Sequence, residues 1–293
     1  MDQALVAAIV AEVVRQLEQS GSAVLPCVPP GAQAPEECED ILLPACRAKS
    51  LLADPADPEA LERMKRETTA RIGVGRRGPR LNTRTVLTMR ADHAGARDAV
   101  FADVDQALMD RLGLFTVQSA CTGKDTYITR PDLGRQLPEA ALEELRRRCV
   151  RNPDVQIYAA DGLSSTAIEA NLERILPVLT DTLTAKGLRL GTPFFLRYGR
   201  VGSEEYIAEA LGARVVCVLI GERPGLATAE SMSAYIAYNA YPGMPESKRT
   251  VVSNIHRSGT AAVEAGAYIA EVIAAILERK ASGVDLIRQG AAG

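Results

Sequence analysis

The stretch VQIYAADGLSS, residues 155–165, decides the fold of this chain. Its first six residues form a short run that is mainly apolar and partly β-branched, which is typical of a strand buried on both faces. Its last five residues combine Gly and Ser with an acid, which is typical of a turn into a helix. A helix is predicted from Thr166, at capping-box spacing from Glu169, to Lys186. The order strand, turn, helix predicts one α/β unit.

The same alternation of strands and helices continues toward the carboxyl terminus. Predicted strands cover 194–198 and 215–220, and further strands are expected at 233–239 and 250–253, while helices are predicted over 204–211 and 260–280. Alternating strands and helices predict an α/β fold with a doubly wound, mainly parallel sheet. Ligands of such sheets bind outside the carboxyl ends of the strands. We therefore expect four loops on one ligand-binding edge: 161–165, 199–203, 221–225 and 251–259.

Four regions are predicted along the chain. Residues 1–18 have apolar side chains at helical spacing and predict an amphipathic helix. Residues 19–57 are rich in Pro and Gly and predict a flexible linker. Residues 58–150 are predicted to be mainly helical with basic loops, and 151–293 to form a Rossmann-like domain. A helix on a flexible tether suits docking to a separate partner better than docking to its own core.

Composition argues against several classes of protein. The 293 residues carry a net charge of −3 and contain 4% aromatic residues without Trp, so nucleic acid and anionic membranes are not expected partners. No apolar run reaches the roughly 18 residues that span a bilayer, and no secretory signal is recognisable. Six scattered Cys and two His lack the short spacing of a metal site. We expect no metal bound by protein side chains, reduced thiols and a cytoplasmic location.

One string resembles a nucleotide-binding fingerprint. Gly73, Gly75 and Gly78 have the spacing G-x-G-x-x-G, but that motif needs a strand before it and a helix after it. Here a predicted helix precedes the string and Pro79 follows it. The alternatives are a solvated loop and a basic turn that pairs with carboxylates at a subunit contact; the basic residues are Arg71, Arg76, Arg77, Arg80 and Arg84.

The predicted edge carries polar groups but no catalytic set. The amides and hydroxyls of 161–165 suit either a polar ligand or ordinary turn chemistry. Glu222 suits either a hydrogen-bond acceptor for a ligand or a loop charge. His93 and His256 have no Ser or Cys arrangement that indicates a nucleophilic triad, so structural roles are expected for both. We predict no catalytic residue in this chain.

An ordered set of segments resembles the small subunit of ethanolamine ammonia-lyase. Each segment is short, and their order along residues 60–290 is specific. They are GRRGPR at 75–80, YITRPDLGR at 127–135, NPDVQ at 152–156, DGLS at 161–164, GTPFF at 191–195, RYGRV at 197–201, GERPG at 221–225, SNIH at 253–256 and KASG at 280–283.

The resemblance implies an activity and a partner. Enzymes of this family pair a large barrel subunit with a small one in a hexamer of heterodimers, and convert ethanolamine to acetaldehyde and ammonia. Homolysis of the cobalt–carbon bond of adenosylcobalamin supplies the radical. The large subunit holds the substrate, and the small subunit closes over the cobalamin. Asp92 and His93 are adjacent and do not match Asp-x-His-x-x-Gly, so the cofactor is expected to be base-on.

The resemblance also implies site residues and a location. Cofactor contacts carried over to this sequence are Val201, Glu222 and Val251. The two valines would act through backbone groups and apolar contact, and Glu222 would accept a hydrogen bond from the cofactor. The N-terminal stripe resembles the peptide that packages this enzyme into the lumen of bacterial microcompartments. Two alternatives stay open: a nucleotide-dependent oxidoreductase on a Rossmann-like sheet, and a structural subunit that binds no cofactor.

Overall fold

The computed structural model describes residues 48–291 together with Leu43 and Cys46. The helix predicted at 1–18 and most of the linker predicted at 19–57 lie outside these residues. The helices are α1 (Pro58–Arg66), α2 (Thr83–Phe101), α3 (Gln106–Arg111), α4 (Lys124–Thr129), α5 (Glu139–Arg148), α6 (Ser165–Ala185), α7 (Ser203–Leu211), α8 (Ala262–Arg279) and α9 (Val284–Ala291), with 3₁₀ turns at Leu133–Arg135 and Glu246–Lys248.

Six strands form the main sheet, in the order β3-β5-β4-β6-β7-β8. They are β3 (Phe115–Gln118), β4 (Val155–Ala160), β5 (Phe194–Arg197), β6 (Val215–Gly221), β7 (Met232–Tyr238) and β8 (Arg249–Ile255). The first four in this order are parallel, and β7 and β8 add antiparallel partners. The prediction of an α/β fold with a mainly parallel sheet is confirmed. Every residue of β4 and β6 is buried, as apolar runs in parallel sheets require.

The sheet separates two apolar layers. The side chains of successive strand residues point to opposite faces, so Ile157 and Ala159 join one layer, while Tyr158 and Ala160 join the other. The first layer is completed by α3, α6 and α8. The second layer is completed by α5 and α7. Because β7 and β8 continue the sheet beyond β6, they extend both of its faces.

Helix ends follow local chemistry. Asp57 caps α1 by accepting a hydrogen bond from the Ala60 amide at 2.8 Å, as the Asp-Pro-Glu sequence predicts. Gly212 ends α7 at φ +69°, a conformation that favours glycine. The capping box predicted at Thr166 is wrong. Ser164 has extended backbone and its side chain accepts from the Ala167 amide, so the cap lies two residues before Thr166 and the helix begins at Ser165.

Three elements escaped the sequence analysis. The short strand β3 lies within the region predicted to be mainly helical, and it pairs with β5 at one edge of the sheet. Arg76–Arg77 and Arg80–Leu81 form a small hairpin, β1 and β2. Helix α8 is not the last helix, since α9 follows it after Lys280 adopts the left-handed conformation. Each element is only two to eight residues long, too short for periodicity to reveal.

Candidate functional site

The loops that follow β4 and β6 are in direct contact. The Leu163 amide donates to the Gly221 carbonyl at 3.0 Å. Gly162 has φ +56°, and a Cβ atom on it would lie 2.2 Å from the Gly221 oxygen. Only glycine allows these loops to approach so closely. The prediction that 161–165 and 221–225 share one edge of the sheet is confirmed.

Glu222 follows β6 at this edge and is half-buried. Its Oε1 accepts a hydrogen bond from the Tyr235 hydroxyl at 3.1 Å. Burial and the nearby Glu222 carboxylate raise the pKa of Tyr235 to about 12, so the phenol stays protonated and donates. Among the described residues, no hydrogen bond reaches Oε2 of Glu222. The carboxylate is therefore held in place by one oxygen, and its other oxygen has the capacity to accept a further hydrogen bond.

Val251 lies within a strand, as the strand expected at 250–253 predicts, and not in the loop expected at 251–259. It is the third residue of β8 and stands directly opposite Tyr235 of β7. Residues that face each other across antiparallel strands share one face of the sheet. The Val251 side chain is 44% exposed on that face. β8 is the edge strand, and beyond its last two residues, which bond to Thr260, its outer backbone groups have no strand partner among the described residues.

Val201 lies in the turn between β5 and α7. Its side chain is half-buried against the apolar layer that α5 and α7 cover. Its carbonyl accepts from the Glu204 amide at 3.1 Å and so takes part in the first turn of α7. Val201 is thus placed for apolar contact, while its carbonyl is already used within the protein.

The three residues predicted to contact the cofactor lie on one side of the sheet. Glu222 and Val251 are joined through Tyr235, whose ring packs on the same apolar layer as Val201. This side offers half-exposed apolar groups and a carboxylate oxygen. Such a surface can accept a large ligand that has apolar edges and amide or hydroxyl donors.

A buried ion cluster stands beside this surface. The Arg249 side chain is 1% exposed and contacts three carboxylates, with Nε 3.0 Å from Oε2 of Glu204 and Nη1 2.7 Å from Oε2 of Glu246. The third carboxylate belongs to Glu205. Burial raises the pKa of Glu204 to about 8, although Arg249 opposes the shift. The cluster links the first turn of α7 to β8. It therefore holds the turn that contains Val201 in a fixed position relative to the strand that contains Val251.

A second buried ion pair lies at the carboxyl end of β4. Nζ of Lys124 lies 3.5 Å from Oδ2 of Asp161, and these side chains are 11% and 1% exposed. The ammonium also lies over the rings of Tyr127 and Tyr198, at 5.7 and 5.4 Å. Burial raises the pKa of Asp161 to about 6, against the opposing effect of Lys124. Helix α4 is held to the edge by this pair.

Sequence reasoning missed Tyr235, Arg249 and Lys124. Each acts on a partner that is distant along the chain: Tyr235 is 13 residues from Glu222 and Arg249 is 45 from Glu204. The one signal was an arginine directly before the strand expected at 250–253, since an arginine that becomes buried needs a partner.

The loop hydroxyls have internal partners. Ser164 Oγ caps α6 and donates to the Ala229 carbonyl, and Ser165 Oγ donates to the Ala102 carbonyl. The ordinary turn interpretation of these two serines is therefore supported.

The other weak motifs also have structural explanations. Helix α1 precedes the Gly73–Gly78 string and the β1–β2 hairpin begins within it, so the context of a nucleotide fingerprint is absent from this part of the described chain. His256 is 8% exposed, and its Nδ1 accepts from the Ser258 amide at 3.2 Å. Its Nε2 lies 2.8 Å from Oδ1 of Asn254, so Nε2 carries the proton. Both ring nitrogens of His256 thus have partners within the chain, which agrees with the structural role expected for it.

The described residues contain neither a cluster of metal ligands nor a membrane-spanning helix. Within residues 48–291, together with Leu43 and Cys46, no three His, Cys, Asp or Glu side chains are grouped so that they could hold a metal ion. No helix in the same part of the chain is long and apolar enough to cross a membrane.

Comparison with known proteins identifies the family. The family model described as ethanolamine ammonia-lyase light chain matches residues 58–287. The chain is 56% identical to the ethanolamine ammonia-lyase small subunit of Clostridium tetani over 82% of this chain and 81% of that protein. It is 56% identical to the same subunit from Fusobacterium nucleatum over 80% of each chain. It is 51% identical to that of Listeria monocytogenes, again over 80% of each. The chain therefore belongs to the ethanolamine ammonia-lyase small-subunit (light-chain) family.

Proposed function

We propose that this chain is the small subunit of an adenosylcobalamin-dependent enzyme that converts ethanolamine to acetaldehyde and ammonia. The observation that carries the proposal is the Glu222–Tyr235 hydrogen bond, with Val251 directly across the strand from Tyr235. It supports a preformed ligand surface at the residues that the resemblance assigns to cobalamin. The family assignment supports the lyase reaction, and the helices on both faces support a doubly wound sheet.

The residues fit the cofactor chemically. Cobalamin carries peripheral amides and hydroxyls, which donate hydrogen bonds, around an apolar macrocycle. The free Oε2 of Glu222 would accept one such hydrogen bond, and Val201 and Val251 would contact apolar edges. When bound, the base-on cofactor supplies the radical chemistry of the reaction. This chain's own task is to hold the cofactor and exclude water, because its described residues include no acid–base set at this surface.

We further propose a large subunit as the obligatory partner, in a hexamer of heterodimers. The names of the relatives support two kinds of subunit, since each relative is a small subunit. The exposed side chain of Val251 and the open edge of β8 are what a chain would present if a second subunit completed its site.

We propose that residues 1–18 direct the enzyme to the lumen of a bacterial microcompartment. The apolar stripe in the sequence supports this role. Deletion of residues 1–19 should leave activity intact and abolish co-sedimentation with shells. Unchanged co-sedimentation of the truncated form would contradict the proposal.

The experiment is reconstitution of the complete enzyme. The chain is co-expressed with a large subunit, the complex is purified, adenosylcobalamin and ethanolamine are added, and acetaldehyde is measured. Product formation that requires both chains and the cofactor is the expected result. Failure of the chain to bind either the large subunit or cobalamin would overturn the proposal and return the nucleotide-dependent oxidoreductase to consideration.

A single variant separates cofactor binding from a purely structural role. Glu222→Ala should weaken binding of adenosylcobalamin to the complex. Glu173→Ala is the matched control, because Glu173 is a 59% exposed carboxylate on α6, in the opposite layer. Equal cobalamin affinity in both variants would favour a structural subunit that does not contact the cofactor.

A further inference from the structure

A cavity opens at the edge of the sheet opposite the candidate ligand surface. Its volume is about 500 Å³, which is within the range of small-molecule sites. Tyr238, the last residue of β7, lines it and stands opposite Val215 at the start of β6. The other end of β7, at Met232, stands opposite Gly221 and so lies near the loop of Glu222. The cavity is therefore separate from the surface that the resemblance assigns to cobalamin.

The walls of the cavity are held together by hydrogen bonds. The Ser282 hydroxyl accepts from the Tyr238 amide at 3.0 Å and donates to the Lys248 carbonyl at 2.5 Å. The Gly283 amide donates to the Thr250 hydroxyl at 2.8 Å. The turn between α8 and α9 is thus bonded to the end of β7 and to the segment that leads into β8. These bonds form the cavity without any help from a ligand.

Positive charge is concentrated on the walls. Three cations and one carboxylate line the cavity: Lys248, Lys280, Arg288 and Asp285. Oδ2 of Asp285 lies 3.9 Å from Nζ of Lys248, and its Oδ1 lies 3.8 Å from Nη1 of Arg288, so both ion pairs are long. The described residues provide no carboxylate within ion-pair distance of Lys280. Because the whole chain has a net charge of −3, this positive excess is a local feature that attracts anions.

Two residues of the wall have a left-handed backbone. Lys280 ends α8 at φ +54°, a position at which glycine is preferred, and Asn239 has φ +44°. The described chain contains five non-glycine residues with positive φ, and two of them line this one cavity. Residues in such conformations concentrate at ligand sites. A glycine would fit the end of α8 better, so the turn itself does not explain the lysine.

The size and lining of the cavity indicate an organic phosphate. Ammonium and guanidinium groups bind phosphate oxygens through charge-assisted hydrogen bonds. A phosphate group alone would leave most of the 500 Å³ empty. Tyr241, which is 47% exposed, and Met244, which is 5% exposed, also line the cavity. They offer a ring face and an apolar contact to the organic part of a ligand.

We propose that this cavity binds a small organic phosphate. Its phosphate group lies among Lys248, Lys280 and Arg288, and its organic part lies against Tyr241 and Met244. The ligand supplies the negative charge that the single carboxylate of the wall does not. The inference does not depend on the proposed function, because the cavity and the Glu222 surface lie at opposite edges of the sheet.

The test is calorimetric titration of the full chain with AMP as the probe. AMP should bind saturably, and adenosine, which lacks the phosphate, should bind at least about tenfold more weakly. Lys280→Gly and, separately, Arg288→Ala should each raise the dissociation constant of AMP by about tenfold or more. Arg279→Ala is the matched control and should bind as the wild type does. Arg279 is an exposed cation next to Lys280 that does not line the cavity.

Lys280→Gly also separates a ligand role from a structural one. Because glycine relieves the left-handed conformation, this variant should be at least as stable in urea as the wild type while it loses AMP binding. Absence of saturable AMP binding by the wild type would overturn the proposal. An AMP affinity that neither wall variant lowers would overturn it as well. Equal affinities for AMP and inorganic phosphate would overturn the assignment to an organic ligand.

Discussion

The hydroxyl of Tyr235 donates a hydrogen bond to Oε1 of Glu222 at 3.1 Å, and so joins the centre of β7 to the loop after β6. The tyrosine fixes where the carboxylate points without occupying its second oxygen. Removal of the hydroxyl would free the carboxylate to rotate or to seek water, which costs the order that a ligand site requires.

Tyr235→Phe is therefore expected to weaken adenosylcobalamin binding while leaving the fold intact. The loss of one hydrogen bond of about 0.5–1.5 kcal/mol corresponds to a roughly two- to tenfold higher dissociation constant. Titration of the complex with the cofactor measures it. Tyr268→Phe removes an exposed hydroxyl from α8 and is the control. Equal affinities for the two variants would show that Tyr235 does not orient Glu222 for the ligand.

Arg249→Met should destabilise the chain strongly. The substitution keeps an unbranched apolar stem but removes the guanidinium group, and so leaves Glu204, which is fully buried, without its partner. Breaking a buried pair from one side costs about 3–5 kcal/mol, whereas an exposed pair contributes about 1 kcal/mol or less. Urea denaturation should show the difference against Arg214→Met, which breaks the partly exposed pair with Asp154.

A second substitution checks the cause of that loss. Adding Glu204→Gln to Arg249→Met removes the buried carboxyl that has lost its partner and should restore part of the free energy of unfolding. In the contrary case, the loss of free energy of unfolding in the double variant equals the sum of the losses in the two single variants. That result would show that the cost comes from lost packing of the arginine and not from the carboxyl that lost its partner.

Gly162→Ala should cost more than an ordinary substitution at a left-handed glycine. The new methyl would meet the Gly221 carbonyl as well as the unfavourable φ of +56°. Gly113→Ala is the matched control, because Gly113 has φ +65° and open space around it. We expect the free energy of unfolding to fall by about 1–2 kcal/mol in the control and by about 2–5 kcal/mol in Gly162→Ala, measured by urea denaturation. Equal losses of free energy of unfolding would show that the loops containing Gly162 and Gly221 can move apart without an energetic penalty.

Asp161 gives the stability a specific dependence on pH. Its pKa is about 6 in the folded chain and ordinarily 3.8, so the folded state binds the proton more tightly. Between pH 4 and pH 6 this carboxyl therefore lowers the stability as the pH rises, by an amount on the order of 3 kcal/mol. Asp161→Asn does not titrate, so wild type should lose stability relative to the variant across this range.

Asp154 is the control for Asp161, because its pKa is shifted in the opposite direction. A hydrogen bond from the Arg189 amide, together with Arg214, lowers the pKa of Asp154. Wild type should therefore gain stability relative to Asp154→Asn as the pH rises through the acid range, by a smaller amount because Asp154 is partly exposed. Parallel pH curves for wild type and Asp161→Asn would show that Asp161 titrates normally.

Local patterns predicted the central elements of the fold well. The strand at 155–160 is observed with the same bounds, and α7 ends at Gly212 as its sequence indicates. These elements obey rules that operate within a few residues, namely apolar runs for buried strands and glycine at helix ends. The brief strand β3 escaped because four residues carry no measurable period.

The sequence by itself determined the α/β class, the edge on which the polar loops lie, and, through the order of its motifs, the family. It placed Glu222 after a buried strand because that position depends only on neighbours in the chain. The tertiary structure alone decided that Tyr235 holds Glu222, that Val251 lies in an edge strand, and that Arg249 joins α7 to β8. The physical reason is that hydrogen bonds and ion pairs depend on distance in space, which strand order and register set.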